Sequence, residues 1–416
     1  RNRGLVGAAG LVTLALVTSA AAASWSAVEA RAARDDAERE ARLKGAVHEF
    51  MHEALTSARP DEDTTMRAFL DAASTGVEDA YDGEPLVEAE VRDMIAWMYG
   101  ELGLYEDSER QYAATLALRE SALGSEAPPV VEARQSYARA LEHAGKGSLA
   151  TELYRDVLAA REAVLPDGHA EVLEARNNLA LHLMHRGELA EAEDLLRDVV
   201  ALRERRGEAG SEDHVTNLNN LALVLTHAGQ KAEALELERR VLAFEEERDP
   251  DGEHALIARS NLAWDLLDTE PAEAVEHFRH VLAGMRELKG EDHPYAFIAT
   301  HALATGLVRV GEVEEAVALY MDAIGLATDA LGETSNDRLA LMSNVAVVLQ
   351  NHGRLAEAGP LLREVVELRR ATLGEGEYDT ILAIHNLGWQ LWKEGDPEAG
   401  EELLREALAL WQAHAP

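Results

Sequence analysis

Residues 177–192 read Asn-Asn-Leu-Ala-Leu-His-Leu-Met-His-Arg-Gly-Glu-Leu-Ala-Glu-Ala, and residues 219–234 read Asn-Asn-Leu-Ala-Leu-Val-Leu-Thr-His-Ala-Gly-Gln-Lys-Ala-Glu-Ala. The strings lie 42 residues apart and share one pattern: a small residue after a leucine, a glycine seven positions on, and a second small residue five positions beyond that. Moving outward, the first small residue recurs as Ala96, Ala138, Ala180, Ala222, Ala263, Ala304, Ala346 and Gly388, in steps of 42, 42, 42, 41, 41, 42 and 42. A hydrophobic residue precedes each, from Ile95 and Tyr137 to Val345 and Leu387. The glycine recurs at 103, 145, 187, 229, 311, 353 and 395; the shortened fifth repeat reads Thr269-Glu270-Pro271 instead. The second small residue recurs as Ser108, Ala150, Ala192, Ala234, Ala274, Ala316, Ala358 and Gly400.

Self-similarity at a fixed period of this length is the mark of a repeat architecture. Apolar residues such as Ala192, Leu195, Leu196, Val199 and Val200 follow helical spacing, so each period predicts two helices joined by a glycine turn. Small residues on both helices let their axes approach closely. One hairpin cannot bury its apolar face alone, whereas stacked neighbours can. The expectation is an all-α solenoid, a superhelix of about eight 42-residue hairpins over residues 83–416, with the first helices on its inner wall.

The period, the Asn-Asn-Leu-Ala strings at 177–180 and 219–222, and the Gly-x-x-x-Glu-Ala strings at 187–192, 229–234, 311–316 and 353–358 resemble the tetratricopeptide repeats of kinesin light chains. The resemblance implies a protein or peptide partner held in a concave groove.

Composition agrees with a helical chain: 47% hydrophobic but only 5% aromatic residues. With no cysteine there is no disulfide framework, thiolate metal site or cysteine nucleophile. The formal net charge of −38 should repel nucleic acid phosphates and anionic headgroups, which argues against a nucleic acid partner and for a basic or neutral one.

Residues 4–23 carry no charge, follow Arg1 and Arg3, and precede Trp25. This predicts one transmembrane helix within residues 1–26, with a cytoplasmic N-side and an exported array, hence a single-pass membrane protein. The rival reading is a signal peptide, since Ala20 to Ala23 look like a cleavage site. Residues 27–82 then read as a helical stalk of mixed charge, through which the chain would dimerise. The basic-flanked span, the stalk, Val47-His48-Glu49-Phe50 and the helix near Thr65 to Ala73 are similar to bacterial membrane-anchored serine/threonine protein kinases. That likeness implies a kinase domain upstream of Arg1. The chain itself holds no glycine-rich loop, His-Arg-Asp or Asp-Phe-Gly string, so no enzymatic activity and no cofactor are expected of it. The alternative is an exported scaffold with no kinase attached.

His48-Glu49-Phe50-Met51-His52 has the spacing of a zinc hydrolase helix, with Glu78 as a third ligand, but a stalk offers no cleft around the metal. The remote alternative of a zinc hydrolase rests on it. Gly145-Lys146-Gly147 lacks the upstream glycine and the hydroxyl of a phosphate loop. His143, His185 and His227 recur every 42 residues, either as a pH-responsive strip or as caps at helix ends beside glycine.

The binding candidates occupy first helices. Asn178, Asn220, Asn261, Asn344 and Asn386 sit two places before the aligned small residue, interrupted at Ala302. In the tetratricopeptide family the matching position faces the groove and bonds a bound peptide, and an amide both donates and accepts. Bonding between repeats is the plainer reading. One place after the small residue, Trp97, Trp264 and Trp389 would supply apolar anchors or packing. Arg139, Arg309 and Lys393 near the helix ends would add selectivity.

Overall fold

The computed structural model describes residue 45 and residues 66–414; these contain seventeen α-helices and no strand. The chain divides into two compact units, Arg1–Glu188 and Leu189–Pro416. Unit 1 holds α1 (Met66–Ala80), α2 (Pro85–Glu101), α3 (Tyr105–Leu123), α4 (Pro128–His143), α5 (Gly147–Val164) and α6 (Ala170–His185). Unit 2 opens with α7 (Leu189–Arg205), α8 (Glu212–His227), α9 (Lys231–Arg248), α10 (Glu253–Leu266) and α11 (Pro271–Lys289). It closes with α12 (Pro294–Val310), α13 (Val313–Leu331), α14 (Asn336–Asn351), α15 (Leu355–Thr372), α16 (Tyr378–Glu394) and α17 (Pro397–His414). Helical hairpins of the expected period thus make up the described chain.

Local chemistry sets the helix ends. Proline stands at the first turn of α2, α4, α11 and α12, where its missing N–H would have no helical acceptor anyway. Ser211 and Ser335 cap α8 and α14, accepting from the backbone N–H of His214 at 3.2 Å and Arg338 at 3.3 Å. The seven glycines expected to turn each hairpin all adopt positive φ, between 72° and 97°. The fifth repeat manages without one. Thr269 and Glu270 both donate their N–H to Leu266 O, at 3.0 and 2.7 Å, and Pro271 starts the next helix.

The aligned small residues are the points where two helices touch. Buried Ser108 donates its hydroxyl to the carbonyl of Ala96 at 2.7 Å. A Cβ on Gly400 would lie 2.8 Å from Gly388 O and 2.9 Å from the Trp392 backbone N. Four places after the second small residue, the second helices bury Tyr112 and Tyr154 in unit 1, and Leu196, Glu238, Phe278, Tyr320 and Leu362 in unit 2. Buried Arg161, Arg203 and Arg369 stand in another shared register and tie one repeat to the next. Arg161 donates to Glu171 O at 3.0 Å, Arg203 to Asn217 Oδ1 at 2.8 Å, and Arg369 to Asp379 O at 2.7 Å. α1 packs Leu70, Ala73 and Val77 against Val91, Ile95 and Tyr99 of α2, and Tyr99 donates its hydroxyl to Asp71 at 2.8 Å.

The expectation of a single-pass membrane protein is corrected. No helix among the described residues is long and apolar enough to cross a membrane. α12 bears a single charge, Arg309, but its 17 residues span only about 25 Å. α13 is longer and carries Glu314, Glu315, Asp322 and Asp329. The proposed span at 4–23, most of the stalk with its dimer, and the His48–His52 string lie outside the described residues.

Glu238 interrupts the apolar column. Burial and the nearby Asp265 carboxyl push its pKa up to about 8, while Asp265 Oδ2 accepts from Thr226 at 2.7 Å. A carboxyl raised in the fold contributes stability that is complete below the unfolded value near 4.5 and lost as pH rises through 8. The melting temperature of the chain should therefore fall between pH 5 and pH 8.5, and Glu238→Leu should flatten that slope and melt higher at pH 8. An unchanged slope in the variant, read by circular dichroism, contradicts this assignment.

The close contact makes a second expectation. Gly400→Ala should cost about 1–3 kcal/mol, because the new methyl meets backbone that cannot swing aside. Gly325→Ala, on an exposed helical position with nothing within 4 Å, should gain roughly 0.5–1 kcal/mol from propensity. Denaturant melts of the two variants should move in opposite directions.

Candidate functional site

The position after each aligned small residue points away from its own hairpin's core. Trp97, Leu223, Trp264 and Trp389 there are 57%, 44%, 41% and 41% exposed. On first helices of unit 2, Ile257, Ile298, Leu382 and Trp392 are also exposed. Large apolar side chains left in water at one register are what a partner would cover.

In unit 2, Trp264 meets Phe278 edge-on, with ring centroids 5.2 Å apart, and His301 at 6.4 Å. Trp389 meets Trp392 edge-on at 5.5 Å. His301 Nδ1 lies 2.7 Å from the Tyr320 hydroxyl and 3.2 Å from Asn344 Nδ2. Both neighbours have hydrogens to donate, so Nδ1 accepts and the ring proton sits on Nε2. Burial lowers the pKa of His301 and keeps the ring neutral.

The asparagines accordingly differ in surroundings. Asn344 bonds His301 of the preceding repeat, and Asn386 accepts a 3.4 Å contact from His385. Asn178 and Asn220 are half-buried, and Asn178 lines a cavity in unit 1. Asn261 is exposed. Arg309 pairs with Asp268, while exposed Arg139 and Lys393 have no ion-pair partner among the described residues.

In unit 1, α4, α5 and α6 enclose a cavity of about 370 Å³. Arg139 and His143 form part of its wall and also part of a neighbouring cavity of about 480 Å³ that contains Trp97 and Tyr105. His143, in the last turn of α4, stacks on Tyr105, ring centroids 5.3 Å apart. His185 Nδ1 lies 2.9 Å from Glu142 Oε1, and Tyr154 donates to Glu142 Oε2 at 3.2 Å. His182, only 2% exposed, lies deepest. Its Nε2 is 2.9 Å from Thr151 Oγ1 and 3.1 Å from Gly147 O, and its Nδ1 is 3.2 Å from Glu142 Oε1, off the line a hydrogen bond needs. Burial works against the Glu142 charge, but the hydrogen bond from His185 and the attraction of the two imidazoles outweigh it and hold the carboxyl below its usual range.

Sequence reasoning missed this network. The signal was there in one register, two places after the aligned small residue, which elsewhere holds Met98, Ala140, Val224, Gly306 and Val348. His182, Asp265 and Gln390 break that pattern, and each is a polar hub. Fully buried Gln390 accepts from Gln350 at 3.2 Å and donates to Leu355 O at 2.7 Å. Among the described residues no group of three or more His, Asp or Glu is placed to hold a metal ion.

Models of the tetratricopeptide repeat match residues 89–128, 171–247, 258–329 and 337–413. No curated protein matches the chain. Among solved structures, the chain is similar to the apo form of the quorum sensor NprR from B. thuringiensis, at 13% identity and a TM-score of 0.51 over 89% of this chain and 99% of that one. It is similar to the apo form of RapI at 11% identity and a TM-score of 0.53, over 89% and 97%. A Podosopora anserina putative kinesin light chain with nearly identical repeats shares 26% identity at a TM-score of 0.46, over 50% of this chain and 99% of that one.

The contrast between asparagines can be measured. Asn344→Ala should cost on the order of 1 kcal/mol, the loss of one hydrogen bond to half-buried His301, whose Nδ1 keeps the Tyr320 hydroxyl. Asn261→Ala, on an exposed position, should stay within about 0.5 kcal/mol. Equal losses in the two variants, read by chemical denaturation, would remove the distinction.

Proposed function

Because the chain belongs to the tetratricopeptide repeat family, whose models match more than half of it, we propose that it is a protein- or peptide-binding scaffold whose first helices form the contact surface. The observation that carries this reading is the exposed aromatic register at Trp97, Trp264 and Trp389, in a chain with only six tryptophans. Aromatic side chains of this kind supply most of the energy where they anchor an interface. To that surface we assign Asn178 and Arg139 in unit 1, and Asn220, Asn261, Asn386, Arg309 and Lys393 in unit 2, as groups that would bond a peptide laid along the first helices of either unit.

The resemblance of the N-terminal part to receptor-like serine/threonine kinases extends the proposal. The array would then be the sensor region of a longer signalling protein, and a kinase domain encoded upstream of Arg1 is the direct check.

Peptides selected from a random-sequence display library against the chain should lose affinity tenfold or more against Trp264→Ala combined with Trp389→Ala. Trp264 packs edge-on against Phe278 and Trp389 against Trp392, so each variant's melting temperature is measured beside its affinity and the loss of binding is read on folded protein. A library that yields no binder, or binders indifferent to both changes, removes this surface from consideration.

A further inference from the structure

The last hairpin of unit 2 exposes positions that its predecessors bury. Eight places after the second small residue, the second helices of unit 2 carry Val200, Leu242, Leu282, Ile324 and Val366, all buried; in α17 the same place holds Leu408, 56% exposed. Three places further on, Arg203, Glu245, Met285, Ala327 and Arg369 are buried, and Trp411 is 47% exposed. The first helices repeat the contrast. Four places after the first small residue, Thr226 and Val308 are half-buried and Gln350 is buried, whereas Trp392 is 52% exposed.

At these registers one hairpin receives the first helix of the next. Arg203 and Arg369 donate from there to Asn217 Oδ1 and Asp379 O, Thr226 donates to Asp265, and Gln350 donates to Gln390. A repeat that ends an array in water carries polar side chains on this face. The last hairpin carries Trp392, Leu408 and Trp411 there instead, with Leu404 half-buried beside them. Leu404, Leu408 and Trp411 follow helical spacing and so share one side of α17. Exposed Tyr378 extends the face, meeting Trp411 edge-on with ring centroids 5.8 Å apart. At the other end Trp392 lies against the start of α17, where a Cβ on Gly400 would be 3.0 Å from the tryptophan Cβ.

The chemistry of the face selects its cover. None of these five side chains is a carboxylate, an amine or a guanidinium, and Glu401 and Arg405 of α17 pair with each other at 2.6 Å. A basic or acidic segment would meet no counter-charge on the five, so the match is an equally apolar helical face, and a second copy of the chain supplies one. α16 and α17 have 17 and 18 residues, so each is about 26 Å long. Two helices side by side are about 20 Å wide, and two such hairpins face to face cover on the order of 1,000 Å² in all, the size at which a specific interface begins.

We propose that two copies of this chain pack back to back through α16 and α17 of their last hairpins, burying Trp392, Leu408 and Trp411 across a two-fold axis. Each last hairpin then gives the other the cover that a following first helix gives elsewhere in unit 2. The inference does not depend on the peptide-binding reading. Because each copy carries a net −38, pairing works against long-range repulsion, and added salt strengthens it.

The test is sedimentation velocity of the full chain from nanomolar to high micromolar concentration. The expected result is a monomer–dimer equilibrium, tighter at high salt, with a melting temperature that rises with protein concentration. Trp392→Glu combined with Trp411→Glu should weaken association roughly tenfold or more and remove the concentration dependence of melting, with helicity retained by circular dichroism. Leu408→Gln, a single milder change on the same face, should weaken the dimer in the same direction should the double variant fold poorly. Trp97→Glu places the same charge on an exposed tryptophan of unit 1 and should leave the dimer intact. A chain that is monomeric at every concentration overturns the proposal, and so does a dimer that survives the double change, whose contact lies elsewhere. A monomer in which Trp392 and Trp411 are shielded from acrylamide quenching overturns it as well, because the chain then covers the face itself.

Discussion

Everything in this protein depends on how closely two helices can approach at the aligned small residues. Where Ser108 bonds the Ala96 carbonyl, or where Gly400 leaves no room for a methyl beside Gly388, the backbones of one hairpin meet directly. That approach sets the crossing of the pair and so the direction in which every other side chain points. Buried tyrosine, leucine and phenylalanine then fill the space on one side. The register after the small residue is turned toward solvent on the other.

Repeats built on one pattern must still be joined in order, and polar groups help to do it. Arg161, Arg203 and Arg369 reach from the end of one second helix to the start of the following first helix, bonding a carbonyl or an amide there. Because the guanidinium is planar with fixed donors, such bonds hold only at the correct register. The hubs at His182, Asp265 and Gln390 differ from one another, so neighbouring repeats within a unit are not interchangeable. Their cost in apolar burial shows at Glu238, a carboxyl forced to keep its proton near neutrality.

The two units carry different faces on this common frame. Unit 1 groups Arg139 with three histidines around two partly open cavities of mixed lining. Unit 2 presents leucine and tryptophan at the outward register, with exposed Ile257 and Ile298 elsewhere on its first helices, and holds the neutral His301, Tyr320 and Asn344 cluster.

The period, the helix pairs, the glycine turns and the shortened fifth repeat were all legible in the sequence, because each follows from local rules that repeat: small residues where backbones meet, glycine where φ must be positive, proline where a helix begins. The outward tryptophans were legible for the same reason. Which asparagines are engaged was not, since Asn344 and Asn261 share a register and differ only in what the neighbouring repeat places opposite them. The membrane reading of residues 4–23 drew on uninterrupted hydropathy; none of the described helices is both long enough and apolar enough to share it. The unit 1 cavity and the raised carboxyl of Glu238 belong to the tertiary structure alone. Both arise where side chains from three different helices converge, and no spacing along one chain specifies which distant groups will meet or how much water they will keep.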